Sequence, residues 1–397
     1  MKIAQINATC GVGSTGKICV DMSKLLTEKG IENYILYSQG SSDYPLGIKY
    51  MSEKEVKFQA LKSRVFGNFG FNSRCATKKL IAHLNKINPD VVHLHNLHSH
   101  NCNLEMLFDY FRKTKVKIYW TFHDCWTITG YCTHFDMIGC NKWKSGCHNC
   151  VARKAYSWFF DNSSKLYCKK RDLFRGLDVT IITPSNWLCN LVKQSFLKDY
   201  PVNVINNGVN LDIFKPTQSN FKDENNINDK YVVLGVAFGW GEKKGLDCFI
   251  ELAKRLPENY QLVLVGTNDE VDKQLPSNVI SIHKTQNQTQ LAEIYTAADV
   301  FVNCTREDTY PTVNMESLAC GTPIITFQTG GSPEIIDSTC GVVVPKNDID
   351  ALEKEIRYLC ENQVFSKENC LEKAKSFDER KKIEEYMVFY EKSNPIN

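Results

Sequence analysis

Between two apolar runs, Asp299–Cys304 and Pro323–Phe327, the chain carries Arg306, Glu307, Asp308 and, eight positions after Asp308, Glu316. The runs read as buried parallel strands. The segment between them reads as a polar loop and a short helix from about 314 to 320, with Glu316 on its first turn. A carboxylate beside a helix N-terminus, at the carboxyl end of parallel strands, is placed to accept hydrogen bonds from sugar or ribose hydroxyls. The N–H groups of the helix start suit a phosphate. Lys243 and Lys244 stand among Gly239, Gly241 and Gly245 at a second strand-to-helix turn.

The first half holds further chemistry. Gly11-Val12-Gly13-Ser14-Thr15-Gly16-Lys17 follows the first strand and nearly spells a nucleotide-triphosphate loop, but Ile18 stands where Ser or Thr must hold magnesium. What survives is a glycine-rich turn whose amides, around Gly13 and Gly16, can approach an anion. Glycines serving only a tight turn are the other reading. His123 ends a strand where ligands collect in such sheets, with Asp124 to fix its tautomer or its loop. His93, His95 and His98 lack a carboxylate or cysteine in ligand register, so no metal is expected there. Cys132-x7-Cys140-x6-Cys147-x2-Cys150 is different. Four thiols in one Gly-, Asn- and Lys-rich loop can close a tetrahedral zinc site, and four protein ligands make such a zinc structural. A reduced loop whose cysteines merely pack is the competing reading, and Cys125 and His148 are alternate ligands.

The elements that must hold these residues alternate strand and helix. Strands are expected at Lys2–Asn7, Ile31–Ser38, Pro89–Leu94, Lys117–Phe122 and Val179–Thr183, then near 231–238, 261–265, 279–283, 299–303, 323–327 and 341–344. Helices are expected at about 16–29 and 76–87, and an amphipathic one at about 379–392. That rhythm predicts α/β domains with doubly wound parallel sheets. A length of 397 residues allows two of them, divided near residue 205, with an Asn-rich link from Gln218 to Lys230 close by. Asp348 and Asp350 look like a metal-binding pair but precede a helix, where acids need no catalytic explanation.

Charge is uneven. Residues 1–200 hold 28 Lys+Arg and 15 Asp+Glu, net +13, and residues 201–397 hold 20 and 30, net −10, summing to the overall +3. Basic residues fall among aromatics in two segments. One runs from Lys54 to Lys79 with Phe58, Phe66, Phe69 and Phe71. The other contains Arg153, Lys154, Tyr156, Trp158, Phe159, Phe160, Lys165, Tyr167, Lys169, Lys170, Arg171 and Arg175. Such segments suit anionic lipid headgroups, although half of the aromatics can equally be core. No run reaches the roughly 18 apolar residues of a membrane helix. The start of the chain lacks the pattern of an export signal. Seventeen cysteines, an odd number mostly set singly in strands and helices, fit a reducing cytoplasm.

Taken in order, Gly13 and Gly16, His123, Asn207-Gly208, Lys244-Gly245, Asp308-x7-Glu316 and Gly330-Gly331 resemble the retaining GT-B glycosyltransferases of family 4, the glycosyl transferases group 1. The cysteine loop and its His123-Asp124-Cys125-Trp126 start look like the bacterial colanic-acid and capsular-polysaccharide members. The resemblance implies two Rossmann-like doubly wound domains facing across a cleft. Residues 1–205 would be the acceptor-side domain with a Cys-rich insertion at 125–155, residues 206–378 the donor-binding domain, and 379–397 a helix returning to the first domain.

The resemblance further implies transfer of a hexosyl unit from a UDP- or GDP-linked sugar to a sugar hydroxyl, with retention and without a catalytic metal. His123 would meet a donor-sugar hydroxyl, with His95 or His98 lining the acceptor site. Lys244 would meet the diphosphate, and Asp308 and Glu316 the sugar or ribose. Gly13, Gly16, Gly330 and Gly331 would present backbone amides to the donor. Two positions depart from the family. Asp308 stands where Glu is usual, with Glu307 as the neighbouring alternative, and Gly239 replaces a phosphate-clamping Arg, which leaves Lys243 or amides to substitute. The expected partners are a nucleotide sugar, a lipid-linked glycan and an anionic membrane surface on the cytoplasmic face, and not nucleic acid. A non-catalytic nucleotide-sugar binder, or an epimerase or hydrolase on the same fold, are the alternatives.

Overall fold

The computed structural model describes residues 1–98 and 100–393. It divides into two compact units, Met1–Ile205 together with the chain from Ile383, and Asn206–Lys382. The first contains seven strands: β1 (Lys2–Asn7), β2 (Glu32–Tyr37), β3 (Gly47–Lys49), β4 (Val91–Leu94), β5 (Lys117–Thr121), β6 (Val179–Thr183) and β7 (Val202–Val204). All pair in parallel, in the order β3-β2-β1-β4-β5-β6-β7. The central strands are buried along their length, as their continuous apolar runs require when helices cover both faces. Strands β3 and β7 escape the sequence patterns because each is three residues long, half-buried and at a sheet edge.

Helices fill the crossovers. Gly13–Glu28 begins earlier than its apolar pattern suggests, because its first turn is polar and glycine-rich. Glu53–Phe66 has a complete capping box between Ser52 and Glu55 and stops at Gly67 in the left-handed conformation. The last helix, Glu379–Ser393, changes unit at Ile383. Its Ile383, Tyr386, Met387 and Tyr390 complete a core with Ile3, Met22, Leu26, Val91, Tyr119 and Ile182 of the first unit.

The second unit has six parallel strands: β8 (Tyr231–Val236), β9 (Tyr260–Val265), β10 (Val279–Ile282), β11 (Val300–Asn303), β12 (Ile324–Phe327) and β13 (Gly341–Val344). Their order is β10-β9-β8-β11-β12-β13. Each sheet therefore reverses its winding once, between β1 and β4 and between β8 and β11. In sheets of this kind the crevice beyond the strand ends at that reversal receives ligands.

The segment from Gln218 to Lys230 is not a link. It carries the helix Phe221–Glu224 and is anchored by Lys222 to Asp299 at 2.8 Å. Asp348 caps the helix Ile349–Asn362 by accepting from Ala351 N at 2.9 Å, a structural duty. Several residues expected on a basic-aromatic surface are core instead. Tyr167 and Lys170, on the helix Ser163–Leu173, and Phe71, in the turn between the helices that end at Phe66 and start at Arg74, are buried; Phe69 in that turn is half-buried against Tyr131 and Tyr156.

Candidate functional site

In the second unit the site grows from the two strands that flank the reversal. After β8 the chain turns through Gly239 and Gly241 into a short 3-10 turn, Glu242–Lys244, and reaches the helix Leu246–Arg255 through Gly245. Gly245 has φ +76°, and a Cβ there would lie 2.3 Å from that of Cys304, just past β11. Glycine thus lets the lysine turn lie directly on the loop that follows β11. The backbone locks the two together, with Arg306 N donating to the Lys243 carbonyl at 2.9 Å. Lys244 Nζ then meets Asp308 Oδ2 at 2.9 Å, and Lys243 Nζ meets Glu307 Oε2 at 3.2 Å. Two successive lysines are matched to two successive acids.

Arg306 is the residue the sequence did not single out. It is buried, and its guanidinium forms two 2.7 Å hydrogen bonds to Asp247 and one of 2.6 Å to Asn347, besides one to the Glu242 carbonyl. The fork holds the start of the helix after Gly245, the lysine turn and the β13 loop in one frame, and it holds the Asp247 carboxyl below the ordinary range. Its only sequence signal is its place beside Glu307. These bonds commit it to the scaffold.

Glu316 lies on the second turn of its helix, not the first, because the helix starts at Thr312 behind Pro311 and runs to Ala319. It is half-buried and accepts a hydrogen bond from Tyr295 Oη at 3.2 Å. Asn303, ending β11, donates to Asn314 at 2.7 Å and so fixes the helix to the strand. Gly330 has φ +54°, and a Cβ there would fall 1.7 Å from the Asp308 carbonyl oxygen. Gly330 therefore supports the Asp308 loop from behind, while Gly331, at φ −88°, opens the short turn Ser332–Glu334. Asn207 donates to the Tyr310 carbonyl at 3.2 Å, tying the start of this unit to the same loop.

In the first unit, Gly13 (φ +69°) opens the helix after β1, and Gly11 N donates to the Gly16 carbonyl at 2.9 Å to close the turn. The histidines form an ordered relay. Gln5 Nε2 donates to the Cys19 carbonyl at 3.0 Å, so its Oε1 faces His95 Nε2 at 3.2 Å and places the proton there. His95 Nδ1 is then an acceptor, and the 3.1 Å contact with His123 Nε2 makes His123 the donor. His123 keeps Nδ1 as its acceptor atom. Burial holds both rings neutral, lowering His123 to about 4 and His95 well below its ordinary value.

One open alternative is decided here and one expectation is corrected. The tautomer of His123 comes from His95, while Asp124 pairs with His98 at 3.1 Å and accepts from Trp126 N at 2.8 Å, fixing the loop. His95 cannot line a substrate site, because it is 1% exposed and held between Gln5 and His123. His93 is equally committed, between Thr121 at 2.8 Å and Tyr390 at 2.6 Å.

Comparison with known proteins fits this geometry. The family description Glycosyltransferase Family 4 matches residues 15–213, and Glycosyl transferases group 1 matches residues 217–382. A putative colanic acid biosynthesis glycosyl transferase of Escherichia coli K12 is 24% identical over 98% of this chain and 100% of its own length. An N,N'-diacetylbacillosaminyl-diphospho-undecaprenol alpha-1,3-N-acetylgalactosaminyltransferase of Campylobacter jejuni is 26% identical over 49% of this chain and 56% of its own. Among solved structures, sucrose-phosphate synthase of Thermosynechococcus elongatus superposes with a TM-score of 0.73 at 16% identity, covering 99% of this chain and 98% of that one. Anabaena HepE in complex with UDP and glucose gives 0.71 at 13% identity, covering 99% and 100%.

Proposed function

The chain belongs to glycosyltransferase family 4 and has the two-domain α/β architecture of the GT-B enzymes. From that premise we propose that it moves a hexosyl unit, with retention, from a nucleotide diphosphate sugar to a sugar hydroxyl of a lipid-linked glycan in surface-polysaccharide assembly. The observation that carries this reading is the Lys244–Asp308 pair at the reversal of the second sheet, with Glu316 on the helix that follows. The Escherichia coli relative's part in colanic acid synthesis supports the polysaccharide product. The Campylobacter relative, named for a diphospho-undecaprenol-linked substrate, supports the lipid-linked acceptor.

The chemistry follows from charge. Asp308 and Glu316 accept from hydroxyls of the donor, and Lys244 turns from Asp308 toward the diphosphate. As the bond from the anomeric carbon to the phosphate oxygen breaks, its electron pair leaves with the diphosphate, where Lys244 and nearby backbone N–H groups stabilise it. The acceptor oxygen bonds to the same face of that carbon, and its proton passes to the departing phosphate. Positioning supplies the rest, with no covalent intermediate and no metal in the step. His123, held neutral by burial, meets a sugar hydroxyl.

The test is release of UDP or GDP from a panel of donors, with and without lipid-linked acceptors, and the anomeric configuration of the product. Nucleotide release that needs acceptor, with retention, is expected. Hydrolysis or epimerisation of the donor without acceptor, or binding without turnover, would replace this reading with a hydrolase, an epimerase or a binding protein.

Attachment to an anionic membrane has support in the first unit. Phe58, Leu61 and Phe66 on one helix, and Trp158, Phe159 and Phe160 beside its end, are all exposed. Trp158 N donates to the Arg64 carbonyl at 2.8 Å, and Asn162 donates to that of Phe66 at 2.7 Å, so the two segments are tied side by side. Lys54, Lys57, Lys62 and Lys154 are exposed on the same segments. Each lysine close to an anionic leaflet contributes about 1 kcal/mol. No helix among the described residues is long and apolar enough to cross a membrane. Co-sedimentation with anionic vesicles at low salt, weakened at high salt, is expected; indifference to lipid charge and salt would remove the membrane from the proposal.

A further inference from the structure

The loop after β5 lines a half-open pocket of about 250 Å³, and its lining includes Cys132, Cys140, Cys147 and Cys150. The fold thus gathers around one space four thiols that span nineteen positions of sequence. Gly130 N donates to Cys147 Sγ at 3.2 Å. All four are reduced. The same pocket is lined by two polar side chains without a hydrogen-bond partner, Trp143 through Nε1 and Ser163 through Oγ, at 2% and 1% exposure. A buried N–H and a buried O–H left unsatisfied each cost about 1–3 kcal/mol. Lys170, also 1% exposed, donates to the Trp126 carbonyl at 2.5 Å.

We propose that Cys132, Cys140, Cys147 and Cys150 bind one zinc ion as four thiolates, a structural site that fixes the 125–155 loop. Zinc with four thiolates carries a net charge of −2. Donors that such a charge needs stand in its surroundings: Gly130 N on Cys147, and the N–H of Trp143 and O–H of Ser163 among the lining residues. Binding releases four thiol protons to solvent. Among the described residues the trio of ligand atoms within 4.8 Å of one another is Asp269, Asp272 and His283, all exposed in the second unit, and no three of the four sulfurs reach that spacing. Zinc–sulfur bonds of about 2.3 Å place sulfurs about 3.8 Å apart, so the ion must draw the thiols inward. The loop has the hinges for it in Gly139, Gly146 and Asn149, all at positive φ, with open space around both glycines.

The experiment is elemental analysis of the full chain, purified under reducing conditions without chelator, together with cobalt substitution and native thiol titration. One zinc per chain, a cobalt spectrum of tetrahedral thiolate type, and four thiols protected until the metal is removed are expected. The paired substitution of Cys147→Ser and Cys150→Ser should abolish stoichiometric metal, whereas Cys75→Ser, at an exposed cysteine outside the loop, should retain it. If the paired variant fails to fold, the cobalt spectrum of the unaltered chain decides. Zinc below stoichiometry that dialysis removes, four freely titratable thiols in the folded chain, or a mass two units lower from a Cys132–Cys150 disulfide would overturn the proposal.

Discussion

Replacing Gly330 by alanine tests whether the donor site depends on the loop behind Asp308. The substitution leaves every proposed ligand side chain in place. A Cβ on residue 330 would sit 1.7 Å from the Asp308 carbonyl oxygen, and the backbone there has φ +54°. The left-handed conformation costs a non-glycine residue about 1–2 kcal/mol. Forcing a methyl group into a packed backbone costs about 1–3 kcal/mol more, so the sum is about 2–5 kcal/mol. Against a typical domain stability of about 5–15 kcal/mol the variant should fold. It relieves the clash by displacing the Asp308 carbonyl and with it the 2.9 Å contact to Lys244. The expected result is a lower urea midpoint, faster hydrogen exchange in peptides spanning residues 303–335, and a fall in kcat/KM of at least tenfold. Gly331→Ala is the control, since φ −88° suits any residue. Unchanged exchange and unchanged kinetics in Gly330→Ala would refute the claim that this glycine sets the Asp308 loop.

Three further outcomes follow from the same geometry. Lys244→Ala should lower kcat by about 10²–10³, the usual effect of removing a group that stabilises developing charge, while its half-exposed ion pair contributes at most about 1 kcal/mol to folding; steady-state kinetics and thermal melts separate the two. Tyr295→Phe removes the hydroxyl that donates to Glu316 and should raise KM for the donor a few-fold, for a net loss of about 1 kcal/mol, with little change in kcat. The His98–Asp124 pair should shape stability with pH. Burial opposes charge on both groups, yet each partner's charge outweighs it, raising His98 and lowering Asp124. The His98 contribution is complete below its unfolded pKa and is lost as pH rises through the raised value. The Asp124 contribution is complete above its unfolded pKa and is lost as pH falls through the lowered value. Urea midpoints measured against pH should show both limbs, and Asp124→Asn should flatten them.

The residues that announce chemistry were legible in the sequence because they lie in contiguous turns between strongly apolar strands. Two parallel sheets, the glycine-rich turn at Gly13, the lysines at 243 and 244 and the acids at 307, 308 and 316 follow from local pattern. Partnership did not follow, because the partners are far apart in the chain. Arg306 with Asp247, Gln5 with His95 and Gly330 with Asp308 are separated by tens of residues and meet only when parallel strands align their ends. Burial was equally a tertiary matter. Lys170 reads as one of a run of surface cations, yet its helix turns it under Trp126, where it meets a carbonyl and a ring face and burial lowers its pKa to about 7. Phe159, one of three aromatics in a row, is left outside because the segment bearing it docks through its backbone to Arg64 and Phe66. Local composition fixes which elements form and which groups are available. The long-range packing of strand ends decides which groups meet, which are spent on the scaffold, and which remain free for a substrate.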